Sequence, residues 1–130
     1  MPKAPDLPAL SEAQLEIMNV IWDLRECSVA AVWKVLHKRR GISRNTVHTL
    51  IVRLEEKGWL SHIEAPGGFL YRATVSRERT QQQTVQKLVQ TVFNGSTIGM
   101  VLALLGSGSL SNSEAARIRQ LIDNAKSRKS

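Results

Sequence analysis

Apolar side chains recur at helical spacing in three consecutive stretches before residue 60, and each stretch is opened by a serine. In Leu10-Ser11-Glu12-Ala13-Gln14-Leu15 the serine sits at an N-cap position, Gln14 completes a capping box, and Leu10 and Leu15 occupy the staple positions. The spacing predicts a helix from there to about Leu24, with Leu15, Ile17, Met18, Ile21, Trp22 and Leu24 apolar and Glu12, Glu16, Asn19 and Asp23 left for solvent. Ser28 caps a second helix with the stripe Val29, Val32, Trp33 and Leu36. Its last turn holds Lys38, Arg39 and Arg40, where the helix dipole favours cations, and Gly41 ends it. Ser43 caps a third, striped by Val47, Leu50, Ile51 and Leu54 and closing at Lys57-Gly58.

After Gly58 the texture changes. Two β-prone runs, Trp59 to Glu64 and Phe69 to Val75, flank the turn cluster Ala65-Pro66-Gly67-Gly68 and predict a hairpin. Three helices and a hairpin, with a tight Gly-containing turn before the third helix, follow the order of a winged helix-turn-helix. Beyond Ser76 the chain returns to helix: a stripe of Val85, Leu88, Val89, Val92 and Phe93 ends at Asn94-Gly95, and Thr97 to Leu105 is nearly all apolar. A last helix opens on the capping box Ser111 to Glu114 and carries Ala115, Ile118, Leu121, Ile122 and Ala125. The expected fold is therefore mainly α with a small β-hairpin wing. Residues 1–9, with Pro2, Pro5 and Pro8, read as a flexible N-terminus, 10–75 as the winged helix, and 76–130 as a helical dimerisation region.

The dimerisation reading follows from area. Three striped helices in residues 76–130 present more apolar surface than a unit of that size buries alone, and no disulfide or metal staple supports it. A second copy covers it through Leu88, Val92, Phe93, Met100, Val101, Leu104, Ile118, Leu121 and Ile122. A monomer whose tail packs back on the winged helix is the competing arrangement.

Charge narrows the partner. Eighteen Lys and Arg against 11 Asp and Glu leave +7 in 130 residues, which favours polyanions, nucleic acid before anionic membrane. Insertion in a membrane is not expected, because the longest apolar run, Ile98 to Leu105, falls far below the roughly 20 residues a span needs. The start lacks the apolar core of a secretion signal. The single cysteine, Cys27, excludes an intrachain disulfide framework and points to a reducing cytoplasm, with Cys27 as a small packing residue. The excess charge is uneven, however: residues 1–75 hold ten basic and eight acidic side chains, residues 76–130 eight and three. Local clustering thus says more than the total, and Lys34, Lys38, Arg39, Arg40, Arg44, Arg53 and Lys57 crowd the third helix against only Glu55 and Glu56.

On a wheel of 100° per residue, the third helix turns Asn45, His48, Thr49, Val52 and Glu56 away from its apolar stripe, with Thr46 and Arg53 on one flank and Arg44 on the other. Asn pairs bidentately with adenine, Thr takes a base edge or a phosphate and offers its methyl to thymine, and His donates to guanine or phosphate. A merely solvated face is the plain alternative. Its position on the third helix, an N-terminal half free of acids and the surrounding cations weigh against that. Arg72 on the return strand, with the backbone of Gly67 and Gly68, is placed to meet a phosphate across a groove. His37, His48 and His62 have no second cysteine, acidic partner at ligand spacing, nucleophile elbow or phosphate loop beside them, so neither catalysis nor a metal or cofactor is expected.

The runs Leu10 to Trp22 and Asn45-Thr46-Val47-His48-Thr49-Leu50-Ile51-Val52-Arg53-Leu54-Glu55-Glu56-Lys57-Gly58-Trp59-Leu60 resemble the penicillinase repressor family, and the similarity extends to Ile122 through Val92-Phe93-Asn94-Gly95-Ser96. The resemblance implies a transcriptional repressor with a winged-helix head and a helical dimerisation region, binding pseudo-palindromic operators with TACA/TGTA half-sites. It places Asn45, Thr46, His48 and Thr49 at the base-contacting positions, and Ser43, Arg53, Lys57 and the wing on phosphates; Arg44 joins these from its flank. His48 stands where relatives often carry Arg or Gln. In β-lactam-responsive relatives a membrane sensor-protease cuts an Asn-Phe bond, whose equivalent here is Ala103-Leu104; copper-responsive relatives use a C-terminal cysteine cluster that this chain lacks. The reading is a homodimeric repressor on double-stranded DNA. A winged helix that docks protein instead is the alternative, and a small-molecule gate finds no convergent polar residues.

Overall fold

The computed structural model describes residues 7–129, so the flexible N-terminus expected over 1–9 lies outside the described residues up to Asp6. The chain runs α1 (Glu12–Leu24), β1 (Glu26–Cys27), α2 (Val29–Arg40), α3 (Arg44–Glu56), β2 (Leu60–Ala65), β3 (Gly68–Ala73), α4 (Arg77–Thr91), α5 (Thr97–Gly106) and α6 (Asn112–Lys129). Two compact units divide at Gln81/Gln82, inside α4, and not at the 75/76 boundary expected from the sequence. The first turn of α4 therefore belongs with the winged helix.

The serine caps form as their spacing implies. The Ser11 and Gln14 side chains exchange hydrogen bonds with each other's backbone N–H at 3.1 and 3.0 Å. Ser28 Oγ accepts from the Ala31 N–H at 3.1 Å and Ser43 Oγ from the Thr46 N–H at 3.2 Å. Gly41 closes α2 at φ 65°, a left-handed conformation that a glycine adopts without a Cβ clash.

The helices pack three stripes together: Ile17, Met18 and Ile21 of α1, Val32 and Leu36 of α2, and Val47, Ile51 and Leu54 of α3 are all fully buried. Trp59, Leu60, Tyr71 and Cys27 close the core from the sheet side. Leu15 and Leu24, expected on the apolar side of α1, are exposed, and Val20 is buried in their place. The hairpin register is Leu60↔Ala73 through Ala65↔Gly68, leaving Pro66 and Gly67 at the tip. A third strand, β1, escapes sequence reading: Glu26 pairs with Arg72 and Cys27 with Tyr71, which makes β3 the central strand. Two residues are too few to show alternation. They are set in place by Arg25, which ends α1 at φ 72° while its N–H donates to the Ile21 carbonyl at 2.7 Å.

Residues 7–9 are held, in contrast to the flexible arm expected there. Leu7 packs on the core, the Pro8 carbonyl accepts from Trp59 Nε1 at 2.8 Å, and the Ala9 carbonyl lies 3.4 Å from Lys57 Nζ. A Cβ on Gly58, at φ 92°, would come within 3.2 Å of Leu7.

In the second unit the expected helices form, with Ser96 capping α5 and a Ser111–Glu114 box opening α6. The backbone N–H of Ser111 holds the Glu114 carboxyl below its usual range. Val89 is buried, but Leu88, Val92, Val101, Leu104, Ile118, Leu121 and Ile122 are exposed, and Ile98 reaches 74%. Phe93 and Met100 are half-buried. Among the described residues no helix is long and apolar enough to cross a membrane.

Cys27 is 5% exposed, and burial, followed by the neighbouring Glu26 charge, pushes its thiol up to about 11. A thiol that holds its proton more tightly folded than unfolded contributes stability that is full below its unfolded value near 9.0 and is lost as pH rises towards 11. The stability advantage of the wild type over Cys27→Ala should shrink across that window in urea titrations; an advantage that is flat or grows would contradict it.

Candidate nucleic-acid interface

The outward face of α3 follows from its inward one. With Val47, Ile51 and Leu54 buried, Arg44, Asn45, Thr46, His48, Thr49 and Arg53 are all exposed. Asn45, Thr46, Thr49 and Arg53 line an open depression of about 240 Å³ whose apolar wall is Leu50. His48 lies outside that depression, so the structure divides the four expected base-contacting residues into a group of three and a neighbour on the other flank. Val52 is half-buried.

At the N-terminus of α3 the Ser43 and Thr46 hydroxyls are 2.8 Å apart. Both are therefore engaged in the cap, and each keeps lone pairs or a proton for one further partner. No acid occupies the first turn, so the positive end of the helix is unopposed. Among the described residues Lys34, Lys38, Arg39, Arg44 and Arg53 form no ion pair, whereas Arg40 meets Glu16 of α1 at 3.0 Å. Lys57 sits at the far end, its Nζ 3.0 Å from Gln14 Oε1. It ties α3 to the start of α1 and retains little freedom for a phosphate. Arg72 projects from the central strand opposite Glu26 and Ser61, near the base of the wing and away from its tip.

The wing is linked to α3 by a pair that sequence reasoning left as ordinary. His62 Nδ1 lies 2.5 Å from Glu55 Oε2, and the imidazole stacks on Phe69 with ring centroids 4.1 Å apart. Tyr71 flanks the same ring at 5.4 Å, and its phenol is raised above the ordinary range by burial first and by Glu55 second. The signal available beforehand was thin: His62 and Glu55 are seven residues apart with a turn between them. Ala103 and Leu104 lie inside α5, where their peptide bond is part of the helical ladder.

A capped third helix with a bare hydrogen-bonding face, backed by two helices and flanked by a three-stranded sheet, defines a winged helix-turn-helix protein, here with a helical C-terminal unit. Residues 10–124 match the penicillinase repressor family, and the chain belongs to that family. It is 30% identical over 123 residues to the penicillinase repressor of Bacillus licheniformis, covering 95% of this chain and 96% of that one. To the methicillin resistance regulatory protein MecI of Mammaliicoccus sciuri it is 26% identical over 114 residues, 88% of this chain and 93% of that one. It is also similar to the solution structure of the Bacillus licheniformis BlaI monomeric form in complex with the blaP half-operator, at 32% identity and a TM-score of 0.51, over 57% of this chain and 90% of that one.

Removing the α3 cap should register in the first unit alone, because Trp22, Trp33 and Trp59 all belong to it. Ser43→Ala is expected to lower its stability by about 1 kcal/mol in urea unfolding followed by Trp fluorescence; an unchanged midpoint would mean the cap is idle.

Proposed function

We propose that this chain is a transcriptional repressor, not an enzyme, that acts as a homodimer and sets the outer face of α3 into the DNA major groove. The observation that carries the reading is the depression in which Asn45, Thr46, Thr49 and Arg53 lie together on a helix whose first turn holds no acid. Asn45 pairs with an adenine edge, Thr49 and Thr46 offer methyl and hydroxyl groups to neighbouring bases, and His48 reads or braces from the adjacent flank. Arg53, Arg44 and the Ser43 end of the helix take phosphates, which fix register without reading sequence. Lys57 and Arg72, tied or faced by other groups, contribute at the margin. The structure of a relative on a half-operator supports this role, as does family membership. Two copies joined through the bare stripes of the second unit present two such helices roughly 34 Å apart, matching TACA/TGTA half-sites in successive grooves.

The protein then works where the chromosome is, in the cytoplasm. If a sensor protease releases it at Ala103-Leu104, α5 has to unwind first, because a protease takes an extended strand and that bond lies mid-helix.

Titration of a TACA/TGTA palindrome against a scrambled duplex at two salt concentrations tests DNA reading. Affinity should fall with salt and favour the palindrome. Asn45→Ala should cost about 1–3 kcal/mol and relax one base position, and Arg53→Ala should weaken both duplexes alike. Equal, salt-insensitive affinity for the two would discard the reading.

Dimerisation is tested separately by sedimentation. The wild type should run as a dimer, and Leu104→Glu, which puts a charge into the bare stripe, as a monomer with palindrome affinity close to that for a single half-site. A wild type that stays monomeric at every concentration would refute the assembly.

A further inference from the structure

We propose that Arg77 is a specificity-determining residue that acts at a distance: by clamping the first turn of α4 to α1 it restricts which spacing between half-sites the dimer accepts. The inference rests on the repressor reading above and adds a residue that touches neither base nor phosphate. Arg77 Nη2 donates to the Asn19 carbonyl at 2.8 Å and to Asp23 Oδ1 at 2.7 Å, and its guanidinium carbon lies 5.5 Å from the centre of the Trp22 ring. All three partners are on α1.

The surrounding contacts make this more than a surface ion pair. Trp22 is held by its own Nε1–H, which donates to the Val75 carbonyl at 3.0 Å, two residues before Arg77. Ser76 Oγ accepts from the Arg79 N–H at 3.1 Å, and the buried Thr80 donates through both N–H and Oγ1 to the Ser76 carbonyl. Residues 75 to 80 are thus fastened to α1 or to one another. Residues 81–88, by contrast, are all exposed, and the two units divide at Gln81/Gln82. The clamp thus lies four residues before the first unit ends at Gln81 and the chain enters the unit that carries the bare stripes.

A palindrome is read only when two recognition helices arrive with matched separation and rotation, and shifting one half-site by a single base pair changes both, by about 3.4 Å and roughly 35°. A guanidinium suits the restraint because its Nη2 reaches a backbone carbonyl and a carboxylate together while its flat, delocalised group lies over the Trp22 ring, a surface an ammonium matches less well.

The experiment is selection from a randomised duplex pool with the full chain. Wild type should enrich paired half-sites at one centre-to-centre spacing. Arg77→Ala should enrich the same half-site sequence while its preference for that spacing over neighbours one base pair longer or shorter falls by about tenfold. Arg77→Lys, which keeps the charge and loses the flat group over Trp22, should fall between. An unchanged spacing profile, or loss of the half-site motif itself, overturns the proposal, whereas a wild type that enriches no paired motif overturns the repressor reading. Trp fluorescence checks that each variant is folded. If Arg77→Ala is not, the Arg77→Lys and Asp23→Asn profiles decide by the same criterion.

Discussion

The burial of Val47, Ile51 and Leu54 sets the rotation of α3 about its own axis, and the candidate interface depends on it. Each such side chain is worth about 1.5–3 kcal/mol removed from water. Turning the helix by one residue, 100°, would lift at least two of them out of the core, whereas the hydrogen bonds at stake on the outer face are worth nearer 1 kcal/mol each. The apolar side therefore decides, and Asn45, Thr46, Thr49 and Arg53 are bare because the opposite side cannot be. The Ser43 cap acts on a different coordinate: it determines where the helix starts and leaves its facing untouched.

That separation explains what could be read in advance. Local signals, a serine cap, a stripe at 3.6 spacing and a Gly after a basic last turn, place all of α1, α2 and α3 within a residue of where they lie, and the wheel picks out the exposed face except at Val52, which is half-buried. Contacts between different elements are absent from such signals. The pairing of Glu26 with Arg72, the docking of Pro8 on Trp59 and the His62–Glu55 link each join residues with no shared periodicity. The wheel also treats the outer face as one surface. The depression edged by Leu50 groups Asn45, Thr46, Thr49 and Arg53 and does not include His48.

The second unit shows a different limit. Its caps and stripes are as legible as those of the first, yet its helices bury almost nothing in a single chain: Ile98, Val92 and Leu102 are each more than 60% exposed. Helices of 10 to 18 residues gain most of their stability from packing an apolar face and little from propensity alone. For this unit, stability has to come from whatever covers those stripes. The winged helix, by contrast, closes its own core within the first unit, so its recognition face does not depend on what covers the second.

Charge distribution bounds how firmly the first unit holds a phosphate backbone. Of the seven cations around α3, Arg40 is spent on Glu16 and Lys57 on Gln14, and among the described residues these two act as struts that hold α2 and α3 against α1. On the acidic side Glu55 is hydrogen-bonded to His62, and Glu56 is exposed. Counterion release scales with the number of phosphates neutralised, so the relevant quantity is the local set around α3, where among the described residues Lys34, Lys38, Arg39, Arg44 and Arg53 form no ion pair, rather than the +7 of the whole chain. Much of that total lies beyond residue 76, in the unit that faces a second copy or solvent. With few unpaired cations on one head, a second head bound to the same duplex would add phosphates in proportion, so under the proposed assembly the salt dependence of binding reports how many heads engage.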